Sequence, residues 1–203
     1  MYRMSTRRAL TAVVTIAAVG AAAIATNPAS GRAARDSGSA ATGVVTTARS
    51  SVEAAGFATL MQQAPATTLP DRVRNLPDGV EGSWGLDLTE TRTVGDSAAP
   101  WYVIPGTKGI CIYRPSKSTG ACATLENAAA GRFAVVAVSR ERHAITEAFG
   151  LVPDGISAVS TGEDDAIVSH NAYDITDAST SGPAPTIVLH SSSGSTKSVA
   201  LTQ

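Results

Sequence analysis

The sequence predicts a mainly β fold, a small antiparallel β-sandwich or open barrel with one short N-terminal helix. Short runs of β-branched and aromatic residues recur from Trp84 onward, separated by turn residues at roughly eight- to twelve-residue spacing. Few segments between these runs have the length and period of the crossover helices that a parallel sheet requires. The hydrophobic content is 43% of 203 residues, but 36 residues are alanine and only 41 are Leu, Ile, Val or Phe. The sequence therefore predicts a small core in the later part of the chain.

Residues 1–25 have the composition of a secretory signal peptide. Three arginines precede an uncharged, alanine-rich run over residues 9–25, which ends in the small-x-small pattern Ala23-Ile24-Ala25. The alternative is a retained membrane anchor, although the run is shorter than the roughly 20 residues that span a bilayer. Cleavage after Ala25 would remove three arginines and no acid, which changes the formal net charge from −1 to −4.

The next two segments predict a tether and one helix. Residues 26–50 are rich in Ala, Ser, Thr and Gly and contain no aromatic residue, a composition typical of a flexible tether. Residues 51–82 predict a helix over Ser51–Ala64, followed by an irregular connection that is rich in Pro and Gly. One face of this helix carries the apolar side chains Val52, Ala55, Phe57, Leu60 and Met61.

Residues 83–203 predict the β domain itself. An alternating pattern predicts a first strand whose inward side chains are Trp84, Leu86 and Leu88. Two β-rich runs, Trp101–Ile104 and Ile110–Tyr113, flank a turn that contains Pro and Gly, and they predict a hairpin.

The rest of the chain continues the β pattern. Leu125–Gly131 predicts a helical turn, and the runs Arg132–Val138 and His143–Phe149 predict a second hairpin. Pro153-Asp154-Gly155 is typical of a turn, because proline presets φ and glycine accepts a positive φ. Further strands are predicted over Ile156–Ser160, Ala166–Ser169, Thr186–His190 and Ser198–Leu201.

The two cysteines, Cys111 and Cys122, predict a disulfide. They are an even pair in a chain that otherwise lacks sulfhydryl groups, and an oxidising compartment favours joining them. Closing this short loop would stabilise the fold by roughly 3 kcal/mol on the chain-entropy model. The alternatives are a zinc site and a catalytic thiol. However, none of the three histidines has the spacing of a zinc ligand relative to either cysteine: His143, His170 and His190. We therefore expect no metal site here.

Several short segments are similar to those of uncharacterised secreted proteins from GC-rich Gram-positive bacteria. They are the run Gly150–Ile156 with the later Asn171 and Tyr173, and the run Trp101–Gly106 ahead of the cysteine pair. The upstream segments Phe57-Ala58-Thr59-Leu60 and Leu69-Pro70 also fit, so the resemblance spans roughly Phe57 to Tyr173. The resemblance implies bacterial export and a shared fold, and it carries no established activity.

One serine motif invites comparison with hydrolases. Gly95-Asp96-Ser97 resembles the nucleophile motif of chymotrypsin-like serine proteases, but alanines follow Ser97 where that family has glycines, and no histidine precedes it. Triads occur in other chain orders, so His143 or His170 would have to serve as the base. A polar turn between two strands is the simpler interpretation, and we assign no catalytic residue.

Two other clusters carry polar chemistry. Glu163-Asp164-Asp165 has the carboxylates that calcium prefers but lacks the spacing of a calcium loop, which favours a solvated hairpin tip. His170, Asn171 and Tyr173 form the most varied cluster and are a candidate surface site, with a hydrogen-bonded turn at a strand end as the alternative. No motif for a cofactor is present.

These observations predict an exported, extracellular or envelope-associated β domain, with binding or structural rather than enzymatic function. The alternatives are a secreted hydrolase with a site assembled across strands, and a membrane-anchored sensor ectodomain if the leader is kept. The chain lacks the basic excess that nucleic-acid binding requires. We expect an envelope component or a protein as partner, and the membrane only if the leader is retained.

Overall fold

The predicted β architecture is confirmed by a computed structural model, which describes residues 12–14, 46–77, 79–139, 144–162, 164–181 and 186–200. These residues form three open four-stranded antiparallel sheets and a few short helices. Most of the predicted signal peptide and tether, including residues 15–45, lies outside the described residues.

The helical region before the sheets is more divided than the sequence predicts. The single helix predicted over residues 51–64 is two helices, α1 (Ala48–Ala54) and α2 (Ala58–Met61), which are followed by α3 (Asp71–Arg74) and α4 (Val80–Trp84). The break comes at Gly56, whose φ of +91° ends a helix and is strained for any side chain. Helix α1 also begins inside the predicted tether, because Thr47 and Ser50 cap it reciprocally.

The first sheet is a meander that confirms the predicted hairpin. Its strands are β2 (Arg92–Val94), β3 (Trp101–Pro105), β4 (Gly109–Arg114) and β5 (Thr119–Thr124), in chain order. A 3₁₀ turn over Pro115–Lys117 connects the last two strands.

The strand predicted from the alternation of Trp84, Leu86 and Leu88 is wrong. Trp84 ends α4, Leu86 makes one isolated bridge to Gly106, and Leu88 begins a 3₁₀ turn. All three side chains nevertheless contact one apolar cluster on the outer face of the first sheet. The spacing therefore reports a shared packing surface rather than a strand.

The central sheet has the order β1-β6-β7-β10 and contains β10, the longest strand that the sequence did not predict. Its strands are β1 (Ala12–Val14), β6 (Phe133–Ser139), β7 (Ala144–Leu151) and β10 (Ala172–Ser181). The predicted β6–β7 hairpin is confirmed, and α5 (Leu125–Ala129) confirms the helical turn before it. Strand β1 belongs to the predicted signal peptide and pairs with the edge of β6.

The third sheet has the order β12-β11-β8-β9 and confirms the four later strands. They are β8 (Ile156–Thr161), β9 (Asp164–Ile167), β11 (Thr186–Ser191) and β12 (Thr196–Ala200). Each lies within about two residues of the predicted span, as expected for element boundaries.

The central sheet is buried on both faces, which makes the fold a layered sandwich. On one face Phe149 and Leu151 pack against the first sheet and against Leu60 of α2. On the other face Ala148 lies in a second cluster, with Val159 of the third sheet. Strand β7 can contribute to both cores because successive side chains of a strand point to opposite faces.

The predicted disulfide is formed and lies on the outer face of the first sheet. Cys111 and Cys122 are directly opposite on β4 and β5, with their Cα atoms 4.0 Å apart. They join the outer cluster that also contains Val73 and Leu86. The disulfide therefore connects two strands and supports the packing of the N-terminal helices on them.

Candidate functional site

A tight turn connects β9 to β10 and positions the residues that the sequence singled out. His170 and Asn171 have φ values of 50° and 65°, and Ser169 and Ala172 exchange two backbone hydrogen bonds of 2.9 Å across them. Two positive φ values between paired residues are typical of a type I′ turn, in which Asn is favoured. The chain therefore enters β10 as the second strand of a hairpin.

The predicted surface cluster of His170, Asn171 and Tyr173 is wrong as a surface. Asn171 and Tyr173 are buried, and only His170 is exposed. The ring of His170 contacts the neighbouring Ser169 hydroxyl at 3.1 Å. Asn171 is held by Leu60 and Tyr173 packs toward the third sheet, whereas His170 and Tyr173 both line the cleft described below.

Asn171 instead joins three segments of the chain. Its Oδ1 accepts a 2.7 Å hydrogen bond from the backbone N–H of Leu60, and its Nδ2 donates to the carbonyl of Val152 and to Asp154 Oδ1, both at 3.0 Å. The side-chain amide thus uses both its donor and its acceptor functions inside the protein. We call Asn171, Asp154 and the first turn of α2 the polar junction.

Asp154 completes the polar junction from the predicted Pro-Asp-Gly turn. Its carboxylate accepts the N–H groups of Ala58 at 2.8 Å and Thr59 at 3.1 Å, so it caps α2 from a distant part of the chain. Burial alone would raise the pKa of Asp154. Hydrogen bonds donated by Thr59 and Asn171 outweigh burial, and the pKa lies below its ordinary value.

Tyr173 packs in the core between the central and third sheets. It is paired across the strands with Gly150, where a Cβ would lie 2.9 Å from the phenol oxygen. Burial raises the pKa of Tyr173, and no hydrogen bond to its hydroxyl is found among the described residues. The phenol is a packing group rather than an accessible functional group.

A cleft of about 470 Å³ opens where β9 and β10 separate below the turn. It is lined by residues from the first sheet, from α2's C-terminal side and from the turn, among them Gln63, Thr93, Gly95, Trp101, Ile167 and Asp174. Its volume lies in the range of ligand-binding clefts. Ile167 is the exposed large apolar residue at its mouth, with 85% of its surface accessible.

Asp174 connects this cleft to a buried charge network. Arg114, which is 4% exposed as a side chain, donates to Asp174 Oδ2 and to Glu147 Oε1, and Lys117 lies 3.2 Å from the second oxygen of Glu147. The Arg114 guanidinium also stacks on Phe149, 4.4 Å from the ring centroid. Burial lowers the pKa of Arg114, an effect that the charge of Glu147 opposes. The network joins the first sheet to β7 and β10.

Three residues that line the cleft each have one buried side-chain polar atom without a partner among the described residues: Trp101, Tyr173 and Asp174. Asp174 Oδ1 and Trp101 Nε1 are both buried and have no hydrogen-bond partner among the described residues. Trp101 is fully buried and packs edge-on against Phe149, with ring centroids 5.3 Å apart. Its Nε1 faces Gly95, where a Cβ would lie 2.5 Å away. Buried polar atoms without partners are uncommon in native proteins, and each of them requires an explanation.

Of the candidate hydrolase residues, His170 lines this cleft but Ser97 does not. Ser97 is exposed, and its hydroxyl contacts Asp96 at 3.4 Å, while His143 lies outside the described residues. A different serine and histidine do meet across strands: Ser160 Oγ lies 2.7 Å from His190 Nε2 on the third sheet. Neither Ser160 nor His190 lines the cleft.

The carboxylates of the candidate calcium segment are likewise not brought together among the described residues. Glu163 lies outside the described residues, Asp164 begins β9, and Asp165 is exposed on that strand. Within the described residues, no group of three or more His, Cys, Asp or Glu side chains is placed to hold a metal ion.

The charge network beside the cleft is the feature that the sequence did not predict. Arg114, Glu147 and Asp174 come from three strands and are 33 and 27 residues apart along the chain, so no short motif contains them. The one local signal was a charged residue among the small and apolar residues of two of these strands, Arg114 at the end of β4 and Glu147 within β7.

Comparison with known proteins adds no relative: no protein-family model, no curated protein and no solved structure matches the chain. None of the helices in the described part of the chain is long and apolar enough to cross a membrane.

Proposed function

We propose that this protein is an exported, non-enzymatic binding domain that acts outside the cell or in the cell envelope. The basic and apolar leader supports export, and so does the Cys111–Cys122 disulfide, which an oxidising compartment favours. In this proposal residues 1–25 are removed, together with β1, so that β6 becomes an edge of the central sheet. Residues after Ala25 then separate the folded domain from its point of attachment or release. A retained leader would make the same domain a membrane-anchored ectodomain.

The observation that carries the binding role is the state of Asp174. One carboxylate oxygen is held by Arg114, while the other is buried at the cleft without a partner. An orphaned carboxylate oxygen costs free energy in the unliganded protein, because it has lost water and gained nothing. A ligand with a hydrogen-bond donor would recover that loss, and the network behind Asp174 holds the carboxylate ready for it.

A hydrolase is the second candidate, and the Ser160–His190 contact favours it. A hydroxyl 2.7 Å from an imidazole nitrogen has the geometry of a nucleophile and its base. Catalysis also needs a substrate cleft and donors for an oxyanion, and this pair lies outside the cleft described above. The pair is equally well explained as a cross-strand hydrogen bond.

Export is tested by expressing the full chain in a Gram-positive host and determining the mature N-terminus and its location. We expect the mature protein in the medium or envelope, beginning near Thr26, with no reactive thiol after denaturation without reductant. A cytosolic product, or two titratable thiols in the exported protein, would contradict the export proposal.

Binding through the cleft is tested by photocrosslinking in the producing cells. A benzophenone amino acid replaces Ile167 at the mouth of the cleft, and the matched control places it at Ser193, an exposed residue of the β11–β12 turn. We expect a discrete crosslinked species from position 167 that is absent at position 193. Equal or absent crosslinking at both positions overturns the binding role, and hydrolysis abolished by Ser160→Ala in the folded protein favours the second candidate.

A further inference from the structure

We infer that the cleft binds an extended polypeptide segment of a partner protein, which adds its main chain along the open edge of β10. This inference rests on the proposed binding function and names the class of ligand. It depends on three features: a hairpin whose pairing stops early, two orphaned side-chain atoms, and the charge around the cleft.

The first feature is the separation of β9 and β10. The Ser169–Ala172 bridge is their first pair, and continued pairing would place Ile167 opposite Asp174. The two strands instead belong to different sheets, β9 paired with β8 and β10 paired with β7. The hairpin therefore opens immediately below its turn, and the cleft occupies this opening.

The direction of the backbone groups follows from alternation along each strand. The N–H and C=O of Ala172 bond to Ser169, away from β7, so those of Asp174 and Thr176 also point away from β7. On β9, the N–H of Val168 bonds to Ser157 of β8, so the groups of Ile167 point away from β8. Within the described residues, neither edge has a strand partner at these positions. Such an edge is a template for another strand.

The unpartnered atoms of Asp174 and Trp101 need one hydrogen-bond donor and one acceptor, and a peptide group combines both. Asp174 Oδ1 needs a donor and Trp101 Nε1 needs an acceptor. A peptide N–H and a peptide C=O supply these at neighbouring positions of one chain.

The charge around the cleft selects the side chains of the bound segment. Asp165 is exposed on β9 and Asp96 is exposed beside Gly95, while the charge of Asp174 is paired with Arg114. The described lining residues include His170 but no Lys or Arg. The surroundings therefore disfavour phosphate and carboxylate ligands and favour a segment with basic side chains. The exposed Ile167 adds an apolar contact for an alternating side chain.

The first test uses a defined peptide with the mature protein. The probe is acetyl-KTVTVTK-amide, and its control has the same sequence with alternate amide nitrogens methylated, so that it keeps its charge but loses donors on one edge. We expect binding of the probe at concentrations of about 1 mM or below and at least roughly tenfold weaker binding of the control. Hydrogen exchange should show protection at Ile167, Asp174 and Thr176 only with the probe. Equal binding of both peptides, or no binding at this concentration, overturns the inference.

Variants of the protein sharpen this test. Trp101→Phe keeps a buried ring but removes the N–H, and Asp174→Asn keeps the shape but removes the charge. Both should weaken probe binding roughly tenfold, as expected for the loss of one hydrogen bond of this kind, whereas Ser193→Ala on the distant turn should leave it unchanged. Circular dichroism confirms folding, and the Arg114→Lys variant provides a further check because it perturbs the position of Asp174 without removing its carboxylate. Unchanged binding in all three cleft variants contradicts the inferred contacts.

The crosslinking experiment separates failure of this inference from failure of the proposed function. Crosslinking of position 167 to a protein segment supports both proposals. Crosslinking to a glycan, a lipid or a small molecule keeps the binding function and overturns the polypeptide as its ligand. The absence of any specific crosslink overturns both.

Discussion

Two polar clusters lie on either side of the β9–β10 turn, and they differ in how completely their hydrogen bonds are satisfied. In the polar junction, Asn171 and Asp154 together bond to the backbone of α2 and to the carbonyl of Val152. In the cleft, Asp174 and Trp101 each keep one buried polar atom without a partner among the described residues. Each cluster contains one residue from the start of this hairpin strand, because Asn171 and Asp174 are only three positions apart in the chain.

The comparison separates polar residues whose hydrogen bonds are all made inside the protein from those with an unused hydrogen-bonding function. A buried group whose bonds are all made inside the protein stabilises one arrangement of the chain, and changing it leaves other groups unsatisfied. A buried group with an unused bond contributes less to folding and has more to gain from a partner. The expectation is that substitutions in the polar junction affect stability and substitutions in the cleft affect binding.

The largest expected effect comes from Asn171→Ala. The change leaves the Leu60 N–H buried without an acceptor, which costs about 1–3 kcal/mol, and it places a residue other than Asn at a positive φ, which costs about 1 kcal/mol. We expect the free energy of unfolding to fall by about 2–4 kcal/mol in urea denaturation. The matched control is Asn75→Ala, whose side chain makes one exposed hydrogen bond to Asp71, and it should be nearly neutral. Similar losses in both variants would remove the special role of the junction.

A smaller effect is expected from Asp174→Asn. The amide oxygen of the new Asn still accepts a hydrogen bond from Arg114, and Arg114 keeps Glu147 as its second partner. In addition, 29% of the Asp174 side chain is exposed. We expect a stability loss of about 1 kcal/mol together with the loss of peptide binding described above. A loss as large as that of Asn171→Ala, with intact binding, would reverse the assignment of the two clusters.

The pH dependence of stability tests Asp154 separately. Folding lowers the pKa of the Asp154 carboxyl, which in the unfolded chain is about 3.9. The stabilisation from this carboxylate is therefore present above the unfolded pKa and is lost as the pH falls through the folded pKa. We expect the difference in stability between the protein and its Asp154→Asn variant to be largest near neutral pH and to shrink below pH about 4. A difference that does not change between pH 7 and pH 3 would contradict this account.

The smallest stability effect is expected from Ile167→Ser. The side chain is 85% exposed, so its removal from the surface changes the free energy of unfolding by about 0.5 kcal/mol or less. The same change removes the apolar contact at the mouth of the cleft and should weaken binding of the peptide probe. Thermal unfolding and titration of the same preparation measure both quantities. A clear loss of stability would mean that Ile167 packs against the domain and is not a free contact.

The two clusters also show how far local sequence patterns reach. The Pro153-Asp154-Gly155 turn was predicted from its residue types and is present, but its role in capping α2 was not, because the capped N–H groups are 95 and 96 residues away. The prediction of an exposed site at His170, Asn171 and Tyr173 failed because a strand begins at Ala172 and turns Tyr173 into the core. Strand β10 was missed because its sequence, from Ala172 to Ser181, is rich in Asp, Ser and Thr rather than in β-branched apolar residues.

Features that depend on neighbours along the chain were predictable from local sequence patterns. These are the leader-like composition of residues 1–25, the β6–β7 and β3–β4 hairpins, and the pairing of Cys111 with Cys122, whose ten-residue spacing a strand and its return can close. The tertiary structure alone decided the order of the three sheets, the network of Arg114 with Glu147 and Asp174, and the opening between β9 and β10. These features depend on which sheet each edge strand joins. Packing between the layers decides this, and it produces no periodic pattern in the sequence.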